Sequence, residues 1–168
     1  MMKPFIPRAP IVMAAIVGTF VGTVVVAGLL LATSDAPMGQ TLATIWSLLL
    51  FTGLLVPISA FAVLIFGYPA AAAVGEAWDR AWVGVAALAM GALAGFITRV
   101  TLVSLFAGGF ARPGADYGVG VDPGIVYGAC VGLAYWLFER DYRLRAEARR
   151  RDETVEQVPS SEEFARLP

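Results

Sequence analysis

The sequence predicts an all-α integral membrane protein, a bundle of four transmembrane helices whose last helix continues into a charged cytoplasmic helix. Hydrophobic residues make up 58% of the chain and charged residues 15%, whereas ordinary soluble domains are about 45–50% apolar and about 25% charged. The apolar residues are concentrated in four long runs that hold almost no charge. Runs of this length and composition are typical of helices that cross a bilayer.

The first span is predicted over residues 11–32, after a short cytoplasmic start at 1–10 that carries Lys3 and Arg8. At 1.5 Å per residue, a helix over this uncharged run reaches about 33 Å and crosses a hydrocarbon core of about 30 Å. A signal peptide has a similar basic start, but its apolar region is only about 7–15 residues long. We therefore expect this run to be retained as a membrane span.

The second span is predicted over residues 41–66 and is followed by Gly67, Tyr68 and Pro69, which are poor continuers of a helix. Pro57 lies in the middle of this span and has no N–H to donate to the carbonyl four residues before it. We therefore expect a kink at Pro57. The kink is either a fixed feature of shape or a hinge beside a substrate path.

The third span is predicted over residues 81–106, with Arg99 as its one charged residue, and a glycine-rich loop follows it. The fourth is predicted over residues 123–138. It starts directly after Asp122, which can accept hydrogen bonds from the free N–H groups of the first helical turn, and with a proline, which fits that turn. Together the four spans form one transmembrane domain over residues 11–138.

Residues 139–168 form a charged segment that we expect to be cytoplasmic. Acidic residues precede basic residues by four positions throughout its first half, as in Glu139 and Arg143. Such pairs stabilise a solvated helix, so we expect the fourth helix to continue for several turns and the end from about Val158 to be disordered. Because acids alternate with the arginines, this helix is predicted to lie near the membrane and not to bind nucleic acid.

The distribution of basic residues predicts that both termini are cytoplasmic, because cytoplasmic flanks of short loops carry an excess of Lys and Arg. Six basic residues near the ends of the spans fall on one side of a four-span arrangement: Lys3, Arg8, Arg80, Arg140, Arg143 and Arg145. The short loops of the other side carry only Arg112. Eleven arginines against one lysine, with abundant alanine and glycine, indicate a bacterial protein and thus a multi-pass protein of the inner membrane.

Glycines at intervals of four residues predict how the helices meet, because small residues let helix backbones approach closely in lipid. This candidate helix-packing face consists of Gly18, Gly22, Gly91, Gly95, Gly124, Gly128 and Gly132. Residues four apart lie on the same face of a helix. The glycines either pack the bundle internally or form a face for a second copy or a larger membrane partner.

Arg99 is expected to face protein or water, because an arginine inside a span costs a few kcal/mol. It lies about 10 Å inside the end of the third helix at 1.5 Å per residue. The fourth apolar run is short, so Asp122 can lie at a similar depth. We predict an intramembrane ion pair of Arg99 with Asp122, with Asp116 as the alternative acid. Snorkelling of Arg99 to water, or a ligand or ion site around it, are the other possibilities.

The sequence contains no combination of residues that indicates an enzyme. It has no histidine and a single cysteine, Cys130, so the common metal sites and histidine-dependent acid–base mechanisms are absent, and we expect no metal and no cofactor. Glu76 and Asp79 beside Arg80 are typical of a solvated boundary. We predict a structural, assembly or accessory membrane protein. The alternative is a small transporter or channel subunit with Arg99 near the pathway.

Overall fold

The computed structural model of the chain describes residues 8–33, 37–107 and 121–156, and the regular structure within them is entirely helical. The elements in chain order are α1 (Arg8–Thr33), α2 (Met38–Ala62), a π-helical turn (Val63–Gly67), α3 (Tyr68–Val74), a 3₁₀ turn (Gly75–Asp79), α4 (Ala81–Ala107) and α5 (Pro123–Glu156). The prediction of an all-α chain is confirmed. Asp116, Arg112 and the end of the chain from Val158 lie outside the described residues.

Three helical segments are long and apolar enough to cross a membrane: Ala9–Thr33, Met38–Val74 and Ala81–Leu105. The chain thus has the features of a membrane protein. The fourth apolar run opens α5 and is less hydropathic, because glycines and aromatic residues interrupt it before the charged extension begins. The fourth span therefore remains a prediction, and so does the division of the chain into membrane and cytoplasmic parts.

The prediction that Gly67, Tyr68 and Pro69 end the second helix was wrong. The backbone N–H of Tyr68 donates to the carbonyl of Val63, five residues before it, and this π-helical turn leads into α3. Pro69 is tolerated because it falls in the first turn of α3, where its missing N–H is not needed. The helix ends instead at Gly75, whose φ of 56° is readily adopted by glycine.

Helix α5 is the centre of the bundle. It packs along α1 on one side and along α4 on the other, while α2 packs against α1 and scarcely touches α4. The main cluster of buried apolar side chains surrounds Tyr135 and Trp136 of α5. We call this end, from which the charged extension of α5 leaves, the tail end, and the end where α5 begins the Asp122 end.

The predicted packing glycines lie where α5 meets its two neighbours. A Cβ atom on Gly95 of α4 would lie 2.8 Å from the Cα atom of Gly128 on α5. On the other side of α5, a Cβ atom on Gly18 would lie 2.5 Å from the Cα atom of Val131, and one on Gly22 would lie 2.7 Å from the ring of Tyr127. Each of these glycines thus lies against a neighbouring helix of the same chain. The alternative, a face for a second copy or a larger partner, remains a prediction.

The close contact of α4 with α5 predicts that a glycine-to-alanine substitution destabilises the protein inside the contact and does not do so outside it. Gly128→Ala should lower the free energy of unfolding by about 1–3 kcal/mol, because the new Cβ would lie 2.8 Å from the Cα of Gly95. Gly28→Ala is the matched control, since nothing lies within 4 Å of its Cβ position. Alanine favours helix over glycine, so the control should be neutral or stabilising. Unfolding by SDS in mixed micelles measures both, and equal effects would contradict the contact.

Candidate functional site: a groove between two helices

A groove with a volume of about 640 Å³ lies between α2 and α4, with α5 as its floor. It exists because α2 is packed against α1 and α4 against α5, which leaves the space between α2 and α4 unfilled. Its volume falls within the range of about 300–1,000 Å³ that is usual for ligand sites. The groove faces away from α5, towards the side of the bundle where lipid would lie.

The walls of the groove are almost entirely apolar. The α2 wall presents branched aliphatic side chains such as Leu48, Leu55 and Ile58, and the α4 wall presents small ones such as Ala86 and Ala94. The floor is made partly by five of the predicted packing glycines, namely Gly91, Gly95, Gly124, Gly128 and Gly132. A polar or charged ligand would lose hydrogen bonds to water here and regain few, whereas an apolar chain would lose none.

Hydroxyl groups on two sides of the groove are directed into the bundle. Ser59 of α2 accepts a hydrogen bond from Thr19 Oγ1 of α1 at 2.9 Å. Thr23 Oγ1 of α1 lies 2.8 Å from Thr52 Oγ1 of α2 and 3.1 Å from the hydroxyl of Tyr127. Thr19 and Thr23 are fully buried, so these contacts join α1, α2 and α5 near mid-bundle. Sequence reasoning missed them, although each of the two threonines directly follows a glycine of α1.

Arg99 lines the groove at its Asp122 end. Its Nη1 donates to Oδ2 of Asp122, and their side chains are 13% and 3% exposed. The other carboxylate oxygen, Oδ1, accepts the backbone N–H of Gly124 at 2.8 Å and so caps the start of α5. The structure thus brings together the two residues that the sequence pairs. This geometry favours an ion pair over snorkelling, because a buried carboxylate needs a nearby cation.

Two tryptophans, Trp78 of the 3₁₀ turn and Trp136 of α5, exchange hydrogen bonds at the tail end of the bundle, and Trp78 lines the groove there. Trp136 Nε1 of α5 donates to the carbonyl of Trp78 at 2.9 Å, and Trp78 Nε1 donates to the carbonyl of Trp136 at 3.3 Å. The ring of Trp78 also meets Tyr135 edge to face, with centroids 5.9 Å apart. Each indole therefore satisfies its one polar group while its ring fills the core. The pair ties the 3₁₀ turn to α5.

Arg143 of α5 holds the end of α3 in place. Its Nη1 donates to the carbonyl of Gly75 at 2.6 Å and its Nη2 to the carbonyl of Ala71 at 3.1 Å. These carbonyls belong to the last turn of a helix, where hydrogen-bond partners are lacking and a positive charge is favourable. Glu139 accepts from Nε of Arg143 at 3.0 Å. This wall of the groove is thereby fixed to α5.

A looser ion pair lies beside the tryptophans. Arg140 Nε is 3.9 Å from Oδ1 of Asp79, and the two side chains are 43% and 45% exposed. The guanidinium lies over the ring of Trp136, 5.5 Å from its centroid. Within the described part of the chain, Nε of Arg140 is buried and has no hydrogen-bond partner. This is the longest of the ion pairs among the described residues.

The remaining predicted feature, Pro57, lies inside α2, and the helix continues past it to Ala62. The kink expected there remains a prediction. Across the residues that the structure describes, no three His, Cys, Asp or Glu side chains come together as a metal site would require. The candidate site is therefore the groove, with the Arg99–Asp122 ion pair at one end and two ion pairs near the tail end.

The buried ion pair predicts non-additive effects of substitution. Arg99→Leu should lower the free energy of unfolding by about 3–5 kcal/mol, because it leaves a buried carboxylate without its cation. The double variant Arg99→Leu with Asp122→Asn should regain much of this loss, since an asparagine oxygen can still cap α5. Arg145→Gln, in a pair whose side chains are 74% and 54% exposed, is the control and should change little. Strictly additive losses would contradict the pair.

No known protein family, curated protein or solved structure matches the chain. Its function therefore has to be inferred from the groove and from the helices that form it.

Proposed function

We propose that this chain is a small accessory protein of a bacterial inner membrane, without enzymatic activity, that holds the acyl chain of a phospholipid in the groove between α2 and α4. One observation carries the proposal: the groove has almost entirely apolar walls and lies between two helices that are long and apolar enough to cross a membrane. Lipid would fill such a space in a bilayer. A groove that persists in the fold offers that lipid a defined position.

The lining of the groove favours an acyl chain over a transmembrane helix of another protein. Helices in lipid associate through small residues, and the glycines of the groove floor already lie against the backbone of a neighbouring helix of the chain. An extended hydrocarbon chain is much thinner than a helix and could be enclosed by both walls.

The alternative of a small transporter or channel subunit receives less support. A pathway around Arg99 would need polar, water-reachable walls. The groove beside Arg99 is apolar, and the guanidinium is engaged by Asp122. The ion pair is better explained as an interaction that attaches the start of α5 to α4.

The proposal includes four spans, with both termini in the cytoplasm. The apolar run of α5 at 123–138 lies between α1 and α4 along its length, as a fourth span would. Arg140, Arg143 and Arg145 follow this run in the extension of α5, and Arg80 precedes α4 at the same end. This grouping of basic residues supports a cytoplasmic tail end.

The orientation predicts which single cysteines react with a membrane-impermeant thiol reagent added to intact cells. In a Cys130→Ala background, Ser34→Cys should be labelled, because the loop between α1 and α2 would face outwards. Glu147→Cys, on the extension of α5, should be labelled only after the cells are permeabilised. The reverse pattern would overturn the proposed orientation without affecting the groove.

Acyl-chain binding can be tested with a phospholipid that carries a photoreactive group on its acyl chain. In vesicles containing this lipid, cross-links should map to the groove, for example to Met90 and Val103. Ala94→Phe places a ring in the groove and should lower these cross-links about tenfold, a loss of about 1.4 kcal/mol in binding. Ala89→Phe is the matched control, since Ala89 is exposed on α4 and does not line the groove.

The distribution of cross-links decides the outcome. Equal labelling of all lipid-facing surfaces, or the same result for both phenylalanine variants, would refute the lipid site. Cross-links between two copies of the chain through the groove would instead show that a second copy occupies it, and would also refute the proposal.

A further inference from the structure

We infer that the tail end of the groove recognises the headgroup of an ethanolamine phospholipid, with its phosphate on Arg140 and its ammonium on Asp79. This inference rests on the proposed function, because an acyl chain in the groove would bring the headgroup of the same lipid to this end. The proposed function leaves the class of lipid open. The charged groups at the tail end define it.

The ion pair of Arg140 and Asp79 is the longest of those among the described residues. They are 3.9 Å apart and about half exposed, and within the described residues Nε of Arg140 has no hydrogen-bond partner. Arg143 and Glu139, by contrast, are in direct contact at 3.0 Å, with Glu139 almost fully buried. Because both side chains of the looser pair are about half exposed, a ligand can approach them from outside the bundle.

Asp79 and Arg140 do not line the groove themselves, but each lies beside a tryptophan at the tail end of the bundle. Asp79 lies between Trp78 and Trp82 in sequence, and both of these tryptophans line the tail end of the groove. Arg140 lies over Trp136, which exchanges hydrogen bonds with Trp78. Tryptophans are enriched where lipid headgroups meet the hydrocarbon region. A lipid with its chain in the groove would therefore have its headgroup beside both charges.

The charges match a zwitterion with hydrogen-bond donors on its cation. A guanidinium binds phosphate through several parallel N–H bonds, and a carboxylate accepts hydrogen bonds from a primary ammonium. With such a headgroup bound, the long contact between Arg140 and Asp79 is replaced by a contact of each side chain with the lipid. The net charge of the site stays the same. A choline headgroup has no N–H to donate to Asp79, and an anionic headgroup would bring a second negative charge towards it.

The test is native mass spectrometry of the delipidated protein, offered equal amounts of dioleoyl phosphatidylethanolamine, phosphatidylcholine and phosphatidylglycerol. The natural chain should retain the ethanolamine lipid about tenfold more than the choline lipid. Asp79→Asn should bring this ratio close to one without reducing retention of the choline lipid. Arg140→Gln should lower retention of all three lipids. Both side chains are about half exposed, so neither change should unfold the protein.

The controls separate the headgroup inference from the groove. Asp141→Asn and Arg145→Gln alter a solvated pair elsewhere on α5 and should leave the lipid ratios unchanged. If no lipid is retained, or if Ala94→Phe retains as much as the natural chain, the proposed function fails. If all three lipids are retained equally, or if phosphatidylglycerol is preferred, the groove proposal stands and the ethanolamine inference is overturned.

Discussion

Close approach of the α5 backbone to the backbone of α4 determines the arrangement of the other helices. In lipid there is no release of water to drive helices together, so association depends on dispersion contacts and on how near the backbones can come. Glycines on both helices remove the side chains that would keep them apart. The apolar part of α5 is short, and contact with α1 and α4 compensates by covering it on two sides.

The groove is a consequence of this arrangement. Helix α4 is packed tightly on α5 and scarcely touches α2, which is attached elsewhere. Buried hydroxyl groups join it to α1 near its middle, and Arg143 holds the end of α3 to α5. A helix that is held by one neighbour and at one end leaves a gap along its remaining side. The proposed lipid site therefore lies where α2 has few contacts, because its polar contacts are with α1 and those of α3 are with α5.

The sequence predicts the helices well, because runs of uncharged apolar residues have few other structures available in a membrane. The depth of Arg99 and the short apolar run after Asp122 suffice to pair those two residues. The groove could not be predicted, since groove-facing and lipid-facing positions are equally apolar and leave no periodic signal. The hydroxyl contacts were missed because the hydroxyl of a threonine in a helix can also donate a hydrogen bond to the backbone carbonyl four residues before it. The exchange of hydrogen bonds between two tryptophans 58 positions apart depends on packing that no local pattern encodes.

The π-helical turn at Val63–Gly67 determines how α3 is rotated about the helix axis relative to α2. Each residue of an α-helix turns the chain by about 100°, so regular α-helical bonding of the same residues would rotate α3 by about that angle. Gly67, which lies against the ring of Tyr135, would then lose this contact. The two carbonyls that accept hydrogen bonds from Arg143 would also turn away from it. The π-helical turn therefore adjusts the rotation between α2 and α3. This adjustment lets α2 direct its hydroxyl groups towards α1 while α3 directs its last carbonyls towards Arg143 of α5.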